Sequence, residues 1–280
     1  PQVPYQGQPG GYPPPPPQRG GGSPIRLLLL GLVAVVAVGF FFMSLMNYLN
    51  AGQQSGPLPS PEVCRTSAPP TGVPEPDFDP PEIPVPETWE EAEQWLVDNA
   101  LYAQSVEVPT NCTLGRISID ADPDELQEHL NTLTGCLMMV WQAPMERAGF
   151  QMPRPPISVY SQPITTACGE SETYNAFYCS ADQRIYYATD LPQVFYRNNP
   201  EVIDNTFLID NVIGHEFGHA IQGRTGILVP YAVFRGQAKT DDDAQELGRR
   251  SELQADCLSG IFLNAVAQAS QMTDAERVGL

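Results

Sequence analysis

Basic residues and histidines are scarce in this chain, and their scarcity excludes one class of partner. Its 280 residues include 14 lysines and arginines against 33 aspartates and glutamates, a formal net charge of -19 at pH 7. Such an acidic chain repels phosphate groups, so we expect neither a nucleic-acid partner nor binding to an anionic membrane surface. The chain has only three histidines, so a metal site with two histidine ligands would use most of them.

The chain also lacks a Cys-x-x-Cys motif, which argues against a zinc knuckle or a thioredoxin-like redox site. An even number of cysteines, as here, is what a disulfide framework in an oxidising compartment would show. We predict a Cys168–Cys179 bridge, because these two residues flank a short stretch, and take Cys112–Cys136 as a second candidate pair. For Cys257, which lies in a predicted helix, a free buried thiol and a bridge carry equal weight. The six cysteines lie at positions 64, 112, 136, 168, 179 and 257.

Long apolar runs are absent except for one near the N-terminus. From Leu27 to Met46 the sequence carries no charge, and about 20 apolar residues match the thickness of a bilayer core. We therefore predict one transmembrane helix over residues 25–49, after a disordered Pro- and Gly-rich tail at residues 1–24. Arg19 and Arg26 precede the span and no basic residue follows it until Arg65. The positive-inside rule then predicts a single-pass cell-membrane protein with a cytoplasmic N-terminus and an extracytoplasmic domain.

The remainder of the chain divides into a spacer and a folded domain. Residues 57–86 contain eleven prolines, so residues 50–86 are predicted to form a stiff, extended spacer that holds the domain away from the membrane. The domain is predicted at residues 87–280, and the sequence ends within its last helix, which leaves the C-terminal limit open. Apolar spacing predicts helices, then short strands in "PPISVYSQ" and "AFYCSADQRIYYATDL", then helices again. This order favours an α+β fold in two layers, mainly helical with a small sheet.

Individual helix boundaries follow from capping residues and breakers. A helix is predicted from an N-cap at Asp122 to about Ala143, with Pro144 expected to bend or stop it. A capping box from Thr273 to Glu276 predicts the start of the last helix.

Two of the three histidines stand four residues apart in "NVIGHEFGHAIQGRTG", which lies on a predicted helix. Positions i and i+4 share one helix face, so His215 and His219 would present their rings to one point, as two ligands of a tetrahedral zinc must. Glu216 would lie beside them, close enough to act on a metal-bound water without binding the metal. A His-Glu-x-x-His motif also arises by chance in roughly one chain in a hundred of this size, so the rest of the site has to support it.

A third ligand is needed, and the sequence offers two candidates. His129 lies on a polar, acidic helix face, where a solvent-facing histidine is favoured. Glu252 and Asp256 are again four residues apart on a helix; Glu252 would complete a His2Glu site, and Asp256 would accept the second N–H of a liganding histidine. The alternative for this pair is a solvated acidic face, but Leu258 and Ile261 flank it closely.

Glycines in the two helices support a close approach between them. Each helix-interior glycine costs about 1 kcal/mol relative to alanine, so four of them require a compensating reason. Tight packing of one helix on the other would bring Glu252 to the two histidines. The four are Gly214, Gly218, Gly248 and Gly260.

"HEFGHAIQ" followed by "SELQADCLSG", and preceded by "ACGESETYNAFYCSADQRIYY", resembles the bacterial family of neutral zinc metallopeptidases. The match spans about residues 155–270 and is more distantly similar to the thermolysin-like gluzincins. The resemblance implies a zincin-like domain in which His215, His219 and Glu252 bind zinc, Glu216 is the general base and Asp256 supports a ligand. One departure is Ala220, where family members often have a further histidine; that position is not a ligand.

These features predict a membrane-anchored zinc endopeptidase that acts on protein or peptide substrates outside the cytoplasm. The alternative is a non-catalytic, zinc-binding interaction protein of the cell envelope; Glu216 counts against it, because a structural zinc site needs no base. Tyr231 and His129 are candidates for a second donor to the oxyanion. The strand in "ADQRIYYAT" is a candidate edge for an added peptide strand, with a core strand equally favoured. The sequence indicates neither the physiological substrate nor the oligomeric state.

Overall fold

The computed structural model describes residues 73–172, 174–200 and 205–278. The predicted tail, the predicted membrane span and residues 50–72 of the predicted spacer lie outside these ranges, as does Cys64. Within the ranges described, no helix combines the length and the apolar character that crossing a membrane requires. The membrane span therefore stays a prediction.

Helices, short strands and helices follow one another in the described part of the chain, which confirms the α+β prediction. The helices are α1 (Trp89–Val97), α2 (Pro123–Arg147), α3 (Leu191–Asn198), α4 (Phe207–Arg224), α5 (Leu228–Gly236), α6 (Asp241–Val266) and α7 (Asp274–Val278), with a 3-10 turn at Ala100–Ala103. The strands are β1 (Ile157–Tyr160), β2 (Ile164–Thr166), β3 (Gly169–Ser171), β4 (Ala176–Cys179) and β5 (Arg184–Ala188).

The strand predicted as a candidate peptide-binding edge lies in the middle of its sheet. The three-stranded sheet has the order β1-β5-β4, with β1 parallel and β4 antiparallel to β5. Ile185 of β5 is paired with Ile157 on one side and with Tyr178 on the other, so β5 has no free edge. The peptide-edge interpretation of this strand is therefore wrong, and β4 is the edge strand nearest to α4. Strands β2 and β3 form a separate antiparallel hairpin.

Helix termini follow the capping signals more closely than the breakers. Asp122 caps α2 by accepting from two backbone N–H groups of the first turn, as predicted. The helix nevertheless continues past Pro144 to Arg147. A proline this close to the C-terminal end costs only one backbone bond, and the Pro144 carbonyl still accepts from Ala148 at 3.0 Å. The capping box between Thr273 and Glu276 is also present.

Two disulfides tie loops to regular elements. Cys168–Cys179, the predicted pair, joins the turn after β2 to the end of β4, and Cys112–Cys136 joins a loop to α2. Cys257 is free and exposed, so the prediction of a buried thiol or a bridge is not met within the described residues. Ala255, two residues earlier on α6, is by contrast fully buried and packs against Gly218 of α4.

The hydrophobic core forms where α2 packs against the sheet and against α4. Burying a large apolar side chain contributes about 1.5–3 kcal/mol, so this cluster holds α4 firmly in place. Its largest fully buried members from the sheet and helices include Leu130, Leu137, Met138, Ile185, Tyr187, Phe207, Ile213, Phe217 and Phe262.

The last part of the predicted spacer is bound to the domain rather than separated from it. We call residues 73–86 the strap. Arg154 donates to the Pro74 carbonyl at 3.2 Å, and the Asp77 N–H donates to the Arg154 carbonyl at 2.9 Å. Arg224, at the end of α4, donates to the carbonyls of Pro81 at 2.7 Å and Glu82 at 3.1 Å. Contacts of the domain therefore begin before residue 87, because two buried arginines satisfy the carbonyls of a segment that has few N–H donors of its own.

Arg224→Met is expected to release the strap. The substitution keeps an apolar stem but removes the Arg224 donor from the Glu82 carbonyl and leaves the Pro81 carbonyl with the Gln183 amide, which donates to it at 2.7 Å. One unsatisfied buried group costs about 1–3 kcal/mol. We expect a lower melting temperature and faster protease cleavage within residues 73–86. Arg249→Met is the control, because Arg249 forms an exposed pair with Glu246 that contributes little. Equal behaviour of the two variants would contradict the anchoring role of Arg224.

Candidate metal centre

The side chains of His215 and His219 meet on one face of α4, and Glu252 reaches them from α6. The two Nε2 atoms are 3.1 Å apart. The Oε2 atom of Glu252 lies 3.2 Å from the Nε2 of His215 and 3.3 Å from that of His219. Within the described ranges, these three residues form the group whose potential ligand atoms all lie within 4.8 Å of one another.

The donor set and its spacing fit a zinc ion. Zinc in proteins is held tetrahedrally by nitrogen and oxygen ligands at about 2.0–2.1 Å, so two ligand atoms on one ion are about 3.3–3.4 Å apart. The separations of 3.1, 3.2 and 3.3 Å match that edge. Glu252 is 58% exposed at its side chain, so solvent can reach the group, and a zinc ion held by these three residues would have its fourth position open to water. Three protein ligands with one open position is the arrangement of catalytic zinc.

Both histidines are oriented by a hydrogen bond at the other ring nitrogen. The Nδ1 of His215 lies 2.7 Å from the Oδ1 of Asp256. This is the contact with a liganding histidine that the sequence predicted for Asp256. The Nδ1 of His219 lies 2.8 Å from the Oε1 of Gln222, a residue that sequence reasoning did not single out. The spacing of the two residues could have indicated this contact, since Gln222 follows His219 by three positions and therefore lies beside it on the helix.

Glu216 is buried next to this group and is tied to the edge strand. Its side chain accepts a hydrogen bond from the backbone N–H of Tyr178 in β4 at 2.7 Å, and the residue is 8% exposed. Burial raises the pKa of Glu216 to about 7, with His215 and the Tyr178 N–H opposing the shift and Glu252 adding to it. A cation held by the three ligand atoms would lower this pKa again, because it favours the ionised carboxylate.

Close packing of α4 on α6 makes the group possible. A Cβ added at Gly218 would lie 2.9 Å from the carbonyl oxygen and 3.0 Å from the Cα of Ala255, both backbone atoms of α6. One added at Gly214 would lie 3.1 Å from the Cβ of Ser259. The predicted close approach is therefore observed at these two glycines. Close approach of the helices does not explain Gly248 or Gly260. An added Cβ at Gly248 would lie no closer than 3.8 Å to another atom, and one at Gly260 would meet no atom within 4 Å.

His129 and Tyr231 lie in other surroundings. The His129 side chain is 13% exposed and its Nε2 lies 2.7 Å from the Oδ1 of Asp210, which is buried in the first turn of α4. The prediction of a solvent-facing His129 is therefore wrong, because that face of α2 packs against a carboxylate that needs a partner. Tyr231 has Tyr102 and Arg250 as its electrostatic neighbours. No hydrogen bond or ion pair of the described residues joins either candidate oxyanion donor to the zinc-ligand group.

Comparison with known proteins places these residues in a family. Over 154 residues the chain is 30% identical to the protein YpfJ of Escherichia coli, an alignment that covers 54% of this chain and 52% of YpfJ. Over 111 residues it is 33% identical to the protein Rv2575 of Mycobacterium tuberculosis, covering 39% of this chain and 35% of Rv2575. The chain thus spans about half the length of the first relative. No solved structure matches the chain.

A family model matches residues 101–278, which include both histidines, Glu216, Glu252 and the disulfide-bonded strand β4. The match begins at the 3-10 turn that precedes α2 and extends to the end of α7. On this evidence, the chain belongs to the family described as "Putative neutral zinc metallopeptidase".

Proposed function

We propose that the protein is a zinc-dependent endopeptidase. The observation that carries the proposal is the convergence of His215, His219 and Glu252 at ligand distances, with the buried carboxylate of Glu216 beside them. A purely structural zinc site is closed by four protein ligands and needs no neighbouring base. Here the described group has three ligands, an exposed side and a candidate base, which together favour hydrolysis.

Zinc bound at this group would lower the pKa of a coordinated water and polarise the scissile carbonyl. Glu216 accepts the proton of the attacking water and transfers it to the leaving amine. One carboxylate can perform both steps, because the group that takes the proton from water becomes the acid that gives it to the amine. The Tyr178 N–H holds the carboxylate by one oxygen and leaves the other to receive the proton.

The free edge of β4 is the proposed binding surface for the peptide. The Tyr178 N–H donates to Glu216, so it points away from β5. In an antiparallel pair, alternate residues point their backbone groups the same way, so Ala176 also presents its N–H and carbonyl to the free edge. An extended peptide can add to such an edge through main-chain hydrogen bonds. Its scissile bond would then lie close to the carboxylate of Glu216.

We further propose that this domain acts outside the cytoplasm, on the membrane anchor predicted at residues 25–49. Two disulfides in the described domain support this, because disulfides persist in oxidising compartments. Arg19 and Arg26 before the predicted span, with no basic residue after it until Arg65, give the same orientation. Protease protection in intact cells tests it: cleavage of the domain by external protease is the expected result, and full protection would contradict it.

Zinc content and proteolysis of the full chain test the zinc proposal. We expect one zinc per chain, cleavage of a denatured polypeptide such as unfolded casein, loss of cleavage with a chelator, and recovery on adding zinc. Glu252→Ala is expected to bind less than one zinc per chain, because it removes one of the three ligands and leaves only the two imidazoles. Glu246→Ala is the matched control on the same helix, since Glu246 pairs only with exposed arginines among the described contacts.

Two outcomes would contradict parts of the proposal separately. A full complement of zinc in Glu252→Ala would remove Glu252 from the ligand set. Stoichiometric zinc in the wild-type chain without any cleavage would favour the alternative, a zinc-binding interaction protein.

A further inference from the structure

Gln222 occupies a buried position in the contact between the two site helices. It is 0% exposed and lies on α4, three residues after His219. Its Oε1 lies 2.8 Å from the Nδ1 of His219, and its Nε2 donates to the Ser251 carbonyl at 2.8 Å and to the Oε1 of Gln254 at 2.9 Å. Every polar atom of this side chain therefore has a partner, which is what a buried amide requires.

The partners of Gln222 determine which way its amide faces. The Ser251 carbonyl is a backbone acceptor and cannot donate, so the amino group of Gln222 must face it. The amide oxygen is then the atom that faces His219. Because that oxygen can only accept, the Nδ1 of His219 must carry the proton. A neutral imidazole protonated at Nδ1 has its lone pair on Nε2, the atom directed at Glu252 and His215.

We propose that Gln222 is the positioning residue for His219, fixing the ring orientation and the Nδ1–H tautomer that leaves Nε2 ready to bind metal. The inference rests on the proposed zinc site and assigns to Gln222 the role that Asp256 has for His215. Outer partners of liganding histidines typically change metal affinity by about 10–100-fold when removed.

The two histidines thus have partners of different charge. Asp256 supplies a carboxylate to His215, and its side chain is 58% exposed, where solvent screens its charge. Gln222 is neutral and fully buried, and its partner His219 already lies 3.3 Å from the carboxylate of Glu252. A carboxylate at position 222 would still accept from His219, but its other oxygen would face the Ser251 carbonyl with no proton between them. The amide therefore satisfies both helices, since it accepts from one and donates to the other.

Two substitutions at this position separate positioning from packing. Gln222→Met keeps the volume but removes both the acceptor for His219 and the donor for α6, so zinc affinity of the full chain is expected to fall about 10–100-fold. Gln222→Glu keeps the acceptor and loses the donor, so it is expected to retain higher zinc affinity than Gln222→Met. Its melting temperature without metal is expected to be the lower of the two, because it buries a carboxylate against a carbonyl.

Zinc affinity is therefore expected to be higher in Gln222→Glu than in Gln222→Met, whereas the melting temperature without metal is expected to be lower. A merely structural role for Gln222 would not produce this opposite order. Zinc affinity is measured by competition with a chromophoric chelator and checked by the visible absorption of the cobalt-substituted chain. Gln254→Met is the matched control, since it removes one partner of the Gln222 amino group and leaves the Ser251 carbonyl and the acceptor for His219 in place. We expect that control to bind zinc nearly as the wild type does.

Nuclear magnetic resonance of the ¹⁵N-histidine-labelled chain reads the tautomer directly, and three histidines make assignment practicable. The expected result is a proton on the Nδ1 of His219 in the wild type without metal, and its loss or mixing in Gln222→Met. A wild-type proton on Nε2 would overturn the inference, as would wild-type zinc affinity in Gln222→Met. Because this readout needs neither metal nor substrate, failure of the zinc proposal would be seen separately, as absence of zinc from the wild type.

Discussion

Glu216→Gln is expected to slow peptide hydrolysis by about 10²–10⁴-fold, the usual contribution of a positioned acid–base residue. The amide has nearly the volume of the carboxylate, and its oxygen can still accept from the Tyr178 N–H, so the fold and the β4 contact should persist. It cannot take a proton from water at neutral pH. The ligand group of His215, His219 and Glu252 is untouched, so zinc should remain bound.

The measurement compares cleavage of unfolded casein with zinc content in the same preparation. Glu246→Gln is the control, because it makes the same chemical change at an exposed position of α6. Near-normal cleavage by Glu216→Gln would exclude Glu216 as the base. Loss of zinc together with activity would instead show that the buried carboxylate supports the metal site, and would require a different assignment of its role.

Gly218→Ala is expected to damage the fold and the metal site together. The added methyl group would lie 2.9 Å from the Ala255 carbonyl oxygen and 3.0 Å from its Cα, and neither backbone atom can rotate away. Overpacking of this kind costs about 1–3 kcal/mol, so the melting temperature should fall. Relief requires α4 and α6 to separate, which draws Glu252 away from His219. Zinc affinity should therefore fall beyond the loss of stability.

Gly260→Ala gives the matched control on the facing helix. An added Cβ there meets nothing within 4 Å, so helix propensity alone decides the outcome, and a gain of about 0.5–1 kcal/mol is expected. Thermal unfolding with and without zinc compares the two variants. If Gly218→Ala were as stable and as tightly metal-bound as Gly260→Ala, the close approach of the helices would not be what places Glu252.

The parts of the site that could be predicted are those set by helical periodicity. His215 and His219, or Glu252 and Asp256, lie four residues apart, and a helix alone places such residues on one face. The two disulfides were also among the predicted pairs, and the short loop between Cys168 and Cys179 is what indicated that bridge. The sequence does not indicate which two glycines contact the facing helix. The loss of helix stability relative to alanine is the same at all four positions, Gly214, Gly218, Gly248 and Gly260.

The wrong predictions concern side chains and strands whose surroundings come from distant parts of the chain. His129 has a polar local sequence, yet the buried carboxylate of Asp210, 81 residues later, is its partner. The alternation of strand β5 indicates which face is buried but not whether its edges are paired, and β1 and β4 pair with it on both sides. The strap reads as a spacer because of its prolines, while Arg154 and Arg224 bind its carbonyls. Local composition contains no record of such long-range partners.

An edge strand usually frays, since half of its backbone groups have no neighbouring strand. In β4 the Cys168–Cys179 bridge fastens one residue covalently, and the preceding residue, Tyr178, is held by Glu216. These two contacts replace the missing neighbour, and Glu216 takes up the Tyr178 N–H of the open edge. The strand is thus stiff although one of its edges is unpaired. A chain that docks at this edge meets a surface whose ordering entropy has already been lost on folding.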